Sequence, residues 1–164
     1  GVEHSDADLY QDRALIITPM SSSGAKQIEL AKQVWQSLGS YLTELTPAAH
    51  DAAFAAVSHL PHVLSYAIIR GIFQQQNGAD LMALGGPGFR DFSRIAASDP
   101  VVWRDILTTN RDQVLLQINH FKDALNEFEK AIQDNEPQAL EDMIRQASDL
   151  RFNWRMGSSQ NSEK

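Results

Sequence analysis

Cysteine is absent from the 164 residues, so neither a disulfide framework nor a thiolate metal site is available. A reducing compartment, the cytoplasm, is the natural expectation. Basic charge is scarce as well: 14 Lys and Arg stand against 21 Asp and Glu, for a formal charge of −7. The basic residues are scattered, and such a chain repels a phosphate backbone, which argues against a nucleic-acid partner. Uninterrupted apolar runs are short. Ala52 to Val57 is typical and falls far below the length that crosses a bilayer, so no membrane span is expected. No basic-then-apolar leader opens the chain, and nothing argues for export. Gly1-Val2-Glu3 carries neither an initiating Met nor a capping signal, and we expect it to lie inside a longer chain.

Apolar residues nevertheless make up 43% of the sequence, enough for a packed core. Arg13 to Pro19 reads as a short buried strand stopped by proline. The Ser21-Ser22-Ser23-Gly24 cluster is a loop suited to capping a helix. Ile28, Ala31, Val34, Trp35 and Leu38 follow at helical spacing, and Gly39 sits at the C-terminal cap. With a second short strand over Tyr41 to Leu45, this segment forms one βαβ unit, too small to be a stable sheet alone.

At Thr46-Pro47 the pattern changes to a helix start, with a threonine cap and proline in the first turn. The Ala- and Leu-rich run to Gln76 predicts a helix of about 45 Å, with a kink near His59 to His62 where Pro61 removes a hydrogen bond. Asn77-Gly78 should end it, Gly85-Gly86-Pro87-Gly88 marks a tight turn, and Asp99-Pro100 starts another helix. Leu107, Val114, Ile118, Phe121, Leu125, Phe128 and Ile132 then recur in alternating steps of three and four after a first step of seven, a heptad seam. Asn135-Glu136-Pro137 breaks the chain, and Leu140, Ile144, Ala147, Arg151 and Trp154 continue the spacing on a returning helix. Gly157 to Lys164 reads as a frayed tail.

Four features carry chemical interest. In Ser58-His59-Leu60-Pro61-His62 two imidazoles share a helical face beside a proline that frees backbone carbonyls. They suit metal binding, proton transfer or hydrogen bonding to a ligand, or else structural roles in a partly buried wall. A zinc site would need His50 as third ligand and a nearby carboxylate, and no metal is expected. In Phe89-Arg90-Asp91-Phe92-Ser93-Arg94-Ile95 a helical reading puts Arg90 and Arg94 on one face and Phe89 and Phe92 on another. Two guanidinium forks over an aromatic floor fit a dicarboxylate; the alternative is a solvated basic face. The glycine turn follows no clear strand and lacks the phosphate-loop spacing, so close backbone approach is its better explanation. Trp103, just inside the helix capped by Asp99, is either core or a cavity wall.

In this order and spacing, Ser58-His59-Leu60-Pro61-His62, Gly86-Pro87-Gly88-Phe89-Arg90-Asp91-Phe92-Ser93-Arg94-Ile95-Ala96, Ser98-Asp99-Pro100 and Trp103-Arg104-Asp105-Ile106 resemble the prephenate/arogenate dehydrogenases of tyrosine biosynthesis. The likeness runs from Gly1 to about Met156. It implies a mainly α fold: a helical dimerisation and substrate-binding domain (residues 46–156), preceded by the tail of a Rossmann domain (residues 1–45) and followed by a disordered tail (157–164). The reaction implied is NAD- or NADP-dependent oxidative decarboxylation of prephenate in a cytoplasmic homodimer. Hydride leaves the ring carbon bearing the hydroxyl, and carbon dioxide departs as the ring aromatises.

The family's dinucleotide loop and its catalytic His are not among these 164 residues, so the resemblance implies no catalytic residue here and an inactive chain on its own. By position, Arg94 resembles the Arg that grips a substrate carboxylate, and His62 a pocket His. His59 lies one turn earlier, near the nicotinamide side. Trp103 resembles an aromatic wall, and Gly88 belongs to the same substrate-binding set. Arg90 and Asp51 resemble members of a gating ionic network, with Asp51 supplied across the dimer. Pro87 departs from the pattern, standing where the family usually has a third glycine. An arogenate-specific enzyme and an autonomous helical binding module without catalysis are the alternatives.

Overall fold

Residue 6 and residues 8–154 are described by the computed structural model; the opening Gly1-Val2-Glu3 and the tail from Gly157 lie outside the described residues. Leu15, Ile16 and Ile17 populate β1 (Ala14–Ile17), and Pro19 stands just beyond its end. β2 (Tyr41–Glu44) pairs with it in parallel, Ala14 opposite Tyr41 and Ile17 opposite Glu44. Parallel pairing requires a crossover, which α1 (Ala25–Ser37) supplies. The serine cap expected for α1 is not made. Gly24 is the cap residue, and the Ser23 hydroxyl instead accepts from the Met20 N–H at 3.0 Å. Gly39, at φ +84°, turns the chain out of α1 through the left-handed region, as expected of a C-terminal glycine. Tyr10 packs edge-on against Trp35 with centroids 5.0 Å apart, and the buried Ser40 hydroxyl donates to the Tyr10 carbonyl.

The Thr46 hydroxyl accepts from the Ala49 N–H at 3.2 Å and opens α2 (Pro47–Phe54). A π-helical segment, Ala55–His59, joins it to α3 (Leu60–Phe73) in one 27-residue helix. Where the sequence predicts a kink, the structure holds this wider turn, with the Leu60 N–H reaching back to the Ala55 carbonyl. Pro61 in a plain α turn would press its ring on the carbonyl four residues back; the wider turn separates them. The short-run reading of hydropathy also needs correction. Single Ser and His residues interrupt the helix without making it polar, and an 18-residue window reaches a mean hydropathy of 1.4, enough by length and composition to cross a membrane.

α3 ends at Phe73, before the expected Gln76, and Asn77-Gly78 opens α4 (Gly78–Ala83) rather than simply ending a helix. Within the Gly85–Gly88 turn it is Gly85 where close approach demands glycine, because a Cβ there would strike the Phe89 ring and crowd the Met82 carbonyl. Pro87 then begins α5 (Pro87–Ser93), where its missing N–H costs nothing. A 3₁₀ turn, Arg94–Ala97, follows. Asp99 caps α6 (Pro100–Thr109) by accepting from the Val101 and Val102 N–H groups, both at 2.9 Å. α7 (Arg111–Gln133) carries the heptad seam from Val114 to Ile132, whereas its expected first member, Leu107, lies on α6; Asn135 turns at φ +53°, and Pro137 starts α8 (Pro137–Asn153).

The fold is mainly α with one two-stranded parallel sheet. The described residues divide into two compact units, Asp51–Ala124 and a second formed by those up to His50 together with those from Leu125 on. Burial is sparse. Among the described residues the buried apolar side chains are Ala55, Val114 and Ala131.

Candidate functional site

Helical spacing brings His59, His62 and Tyr66 along one side of the π segment and α3, and the Asp99 cap sets α6 so that Trp103 meets them. His62 lies flat on Trp103, centroids 3.5 Å apart and planes within 20°. His59 and Tyr66 meet the same indole edge-on, at 6.2 and 6.5 Å. All four side chains are half-buried. Tyr66, Trp103 and Leu107 line a cavity of about 510 Å³ with Ala96, Ser98, Pro100 and Arg104. An aromatic wall with a few polar groups is the lining expected for a small, partly apolar ligand. The Tyr66 hydroxyl oxygen is buried and has no hydrogen-bond partner among the described residues.

The two histidines are held differently. His62 Nδ1 lies 2.9 Å from the Ser58 carbonyl, which only accepts, so His62 donates from Nδ1. This is a carbonyl of the π segment, one turn before His62. His59 Nδ1 lies 3.2 Å from the Asn110 side-chain nitrogen, which also donates to the Asp51 carbonyl at 2.7 Å. Among the described residues no three His, Asp or Glu side chains converge as a metal site.

Several expectations about neighbouring residues are modified. The helix that was to align Arg90 with Arg94 ends at Ser93, and Arg94 belongs to the 3₁₀ turn, so the shared α-helical face is interrupted. Arg90 pairs with its neighbour Asp91 at 3.1 Å, both largely exposed. Arg94 is exposed and does not line the Trp103 cavity; Arg104 does, paired with Asp105 at 2.7 Å. Of the aromatic floor, Phe89 is half-buried and Phe92 exposed. Gly88 sits in the first turn of α5 with open space around it, so no close contact there demands glycine. Asp51 contributes its backbone carbonyl to Asn110. Tyr66 and Asn110 were not foreseen. Tyr66 lies four residues after His62, a spacing that could have placed it on the same face, whereas Asn110 becomes meaningful only when α6 meets the π segment.

Residues 46–146 match the family described as prephenate dehydrogenase, dimerization domain. The chain belongs to that family. It is 29% identical over 154 residues to the cyclohexadienyl dehydrogenase of Zymomonas mobilis, covering 93% of this chain and 53% of the relative. It is 26% identical over 152 residues to the prephenate dehydrogenase of Bacillus subtilis, covering 92% and 41%. Among solved structures, the prephenate dehydrogenase of A. aeolicus, in complex with hydroxyphenyl propionate and NAD+, superposes with a TM-score of 0.84 at 34% identity, over 93% of this chain and 54% of that one. The Synechocystis arogenate dehydrogenase gives 0.79 at 26% identity, over 90% and 54%. The chain thus spans about half the length, or less, of the relatives it matches. These relatives are dehydrogenases, and the family's dimerization domain is the part that this chain contains.

Proposed function

We propose that this chain is the dimerising, substrate-binding portion of an NAD- or NADP-dependent enzyme that oxidatively decarboxylates a cyclohexadienol carboxylate, prephenate or its amino counterpart arogenate. The observation that carries the reading is the cavity lined by Tyr66 and Trp103, with His59 and His62 packed against the same indole, in a chain of the prephenate dehydrogenase family. Residues 46–156 form the helical domain in this reading, and residues 1–45 are the tail of a nucleotide-binding domain. The cofactor, held mainly by that domain, supplies the hydride acceptor. The chain's own residues bind and orient. Trp103 and Tyr66 give the ring an apolar wall, His59 and His62 give its oxygens polar partners, and Arg94 grips a carboxylate. Arg90 and Asp51 belong to a gating network, Gly88 borders the substrate, and the enzyme works as a cytoplasmic homodimer.

The test is reconstitution. Joined in frame to the nucleotide-binding half of a prephenate dehydrogenase, the chain should reduce NAD or NADP on addition of prephenate or arogenate, while the 164 residues alone should give no turnover. A joined protein that is folded, dimeric and cofactor-bound yet inert toward both substrates would overturn the proposal, as would turnover by the chain alone.

A further inference from the structure

We propose that Asn110 is a positioning residue that holds His59 in the tautomer bearing its proton on Nε2, which makes that nitrogen a hydrogen-bond donor and not a base. Asn110 ends α6, and its side chain spans two fixed acceptors. Its nitrogen donates to the Asp51 carbonyl at 2.7 Å and lies 3.2 Å from His59 Nδ1. The Asp51 carbonyl decides which way the amide faces. Turned over, the amide would set its own oxygen against that carbonyl, two acceptors at hydrogen-bond distance. With the NH₂ group so fixed, one hydrogen serves Asp51 and the other points at Nδ1, which must then accept. A neutral imidazole that accepts at Nδ1 carries its proton on Nε2.

His62 is held in the opposite sense, because the Ser58 carbonyl requires a proton on its Nδ1. Two imidazoles three residues apart, both against Trp103, therefore present unlike groups: an Nε2–H donor from His59 and, when neutral, an Nε2 acceptor from His62. The ligand group suited to His59 is an acceptor oxygen, a carboxylate or a ketone. That assignment of the ligand group rests on the proposed function; the tautomer does not, and it can be read without any substrate.

The experiment is long-range ¹H–¹⁵N correlation of the histidine rings in ¹⁵N-histidine-labelled protein at pH 7 to 8, with His59 assigned by its loss in His59→Gln. The parent should show His59 with a protonated Nε2 and a bare Nδ1, and His62 with the reverse. In Asn110→Ala the single His59 tautomer should be lost to a mixture. In Asn110→Asp the proton should move to Nδ1, because a carboxylate there can only accept. His62 should keep its tautomer and its ring-current shift from Trp103 in both variants, which also reports that the fold survives. A parent His59 protonated at Nδ1 overturns the proposal, and so do folded variants that leave the tautomer unchanged, the result expected if Asn110 only ties α6 to Asp51. Should neither variant fold, the parent spectrum decides alone.

Discussion

His62 spends its Nδ1–H on a backbone carbonyl and one ring face on Trp103, so both the orientation of the ring and the nitrogen that donates to the backbone are set before any ligand arrives. The carboxylate grip is a different matter. Resemblance assigns it to Arg94, whereas the cavity beside Trp103 has Arg104 in its lining and Arg94 outside. In the reconstituted enzyme, Arg94→Ala should raise KM for prephenate by about 30-fold to several thousand-fold, the cost of roughly 2–5 kcal/mol for an unpaired, desolvated carboxylate. Since anchoring acts alike on ground and transition states, kcat should change less, and cofactor affinity should hardly move. Arg94→Lys should recover part of the loss, because an ammonium cannot form the forked pair. Arg104, more than half exposed and tied to Asp105, should cost about 1 kcal/mol or less when removed. Steady-state kinetics in which Arg104→Ala carries the large KM effect and Arg94→Ala does not would transfer the grip to Arg104. At this scale the sequence made His59, His62 and Trp103 legible through motif order. It was silent on Asn110, because a polar residue between two helices looks like any cap until its partners 51 and 59 residues away are in place.

Element boundaries were legible wherever the local chemistry is self-sufficient. Thr46-Pro47 and Asp99-Pro100 cap their helices by side-chain bonds to N–H groups two or three residues on, and nothing distant is needed. The irregularity at Pro61 was legible but its form, a π turn, was not, because a proline announces only that one N–H is missing and not how the helix takes up the loss. The end of α5 between Arg90 and Arg94 was not legible either, since nothing in the sequence announces the change from α to 3₁₀ after Ser93. In the βαβ unit, Lys32 of α1 reaches Glu44 of β2 at 2.5 Å. Its hydrogen bond to that carboxylate holds the ammonium above its ordinary value of 10.5; desolvation opposes this, and the Coulomb attraction of Glu44 and Glu29 adds lesser support. A raised folded-state value stabilises the fold fully below 10.5, and the contribution is lost as pH rises through the folded value. Lys32→Met should therefore melt below the parent at pH 8, with the gap narrowing in 1 M salt and closing in strongly alkaline buffer. Thermal melts across that range check it, and a gap that persists when the parent Lys32 is neutral would deny the ion pair any part.

Taken as a single protomer, the described chain leaves much of its apolar surface in water. Leu84 is 82% exposed, Phe152 76% and Val57 73%, while only three apolar side chains are buried. Along the α7 seam Val114 is buried and Ile118, Phe121 and Phe128 are half-buried, but Leu125 and Ile132 are 51% and 63% exposed. On α8 Ile144 is 58% exposed and Leu150 68%. Helical periodicity made these stripes legible, yet periodicity cannot say whether a stripe is covered within the chain or by another copy. Exposed apolar surface on this scale favours assembly. The chain should therefore sediment as a dimer at micromolar concentration. Phe121→Asp and Phe128→Asp would each place a charge in a half-buried position and so disturb the protomer as well as the assembly. Leu125→Asp with Ile132→Asp separates the two effects, because these side chains have little packing to lose within one copy. If the seam is the contact, two carboxylates buried in it should weaken association by at least about 100-fold, or roughly 2.7 kcal/mol, while circular dichroism keeps its helical signal. Sedimentation equilibrium of parent and double variant decides. A variant that remains dimeric would move the interface off the α7 seam, and a parent that is monomeric at micromolar concentration would leave the exposed stripes without a homodimer to explain them.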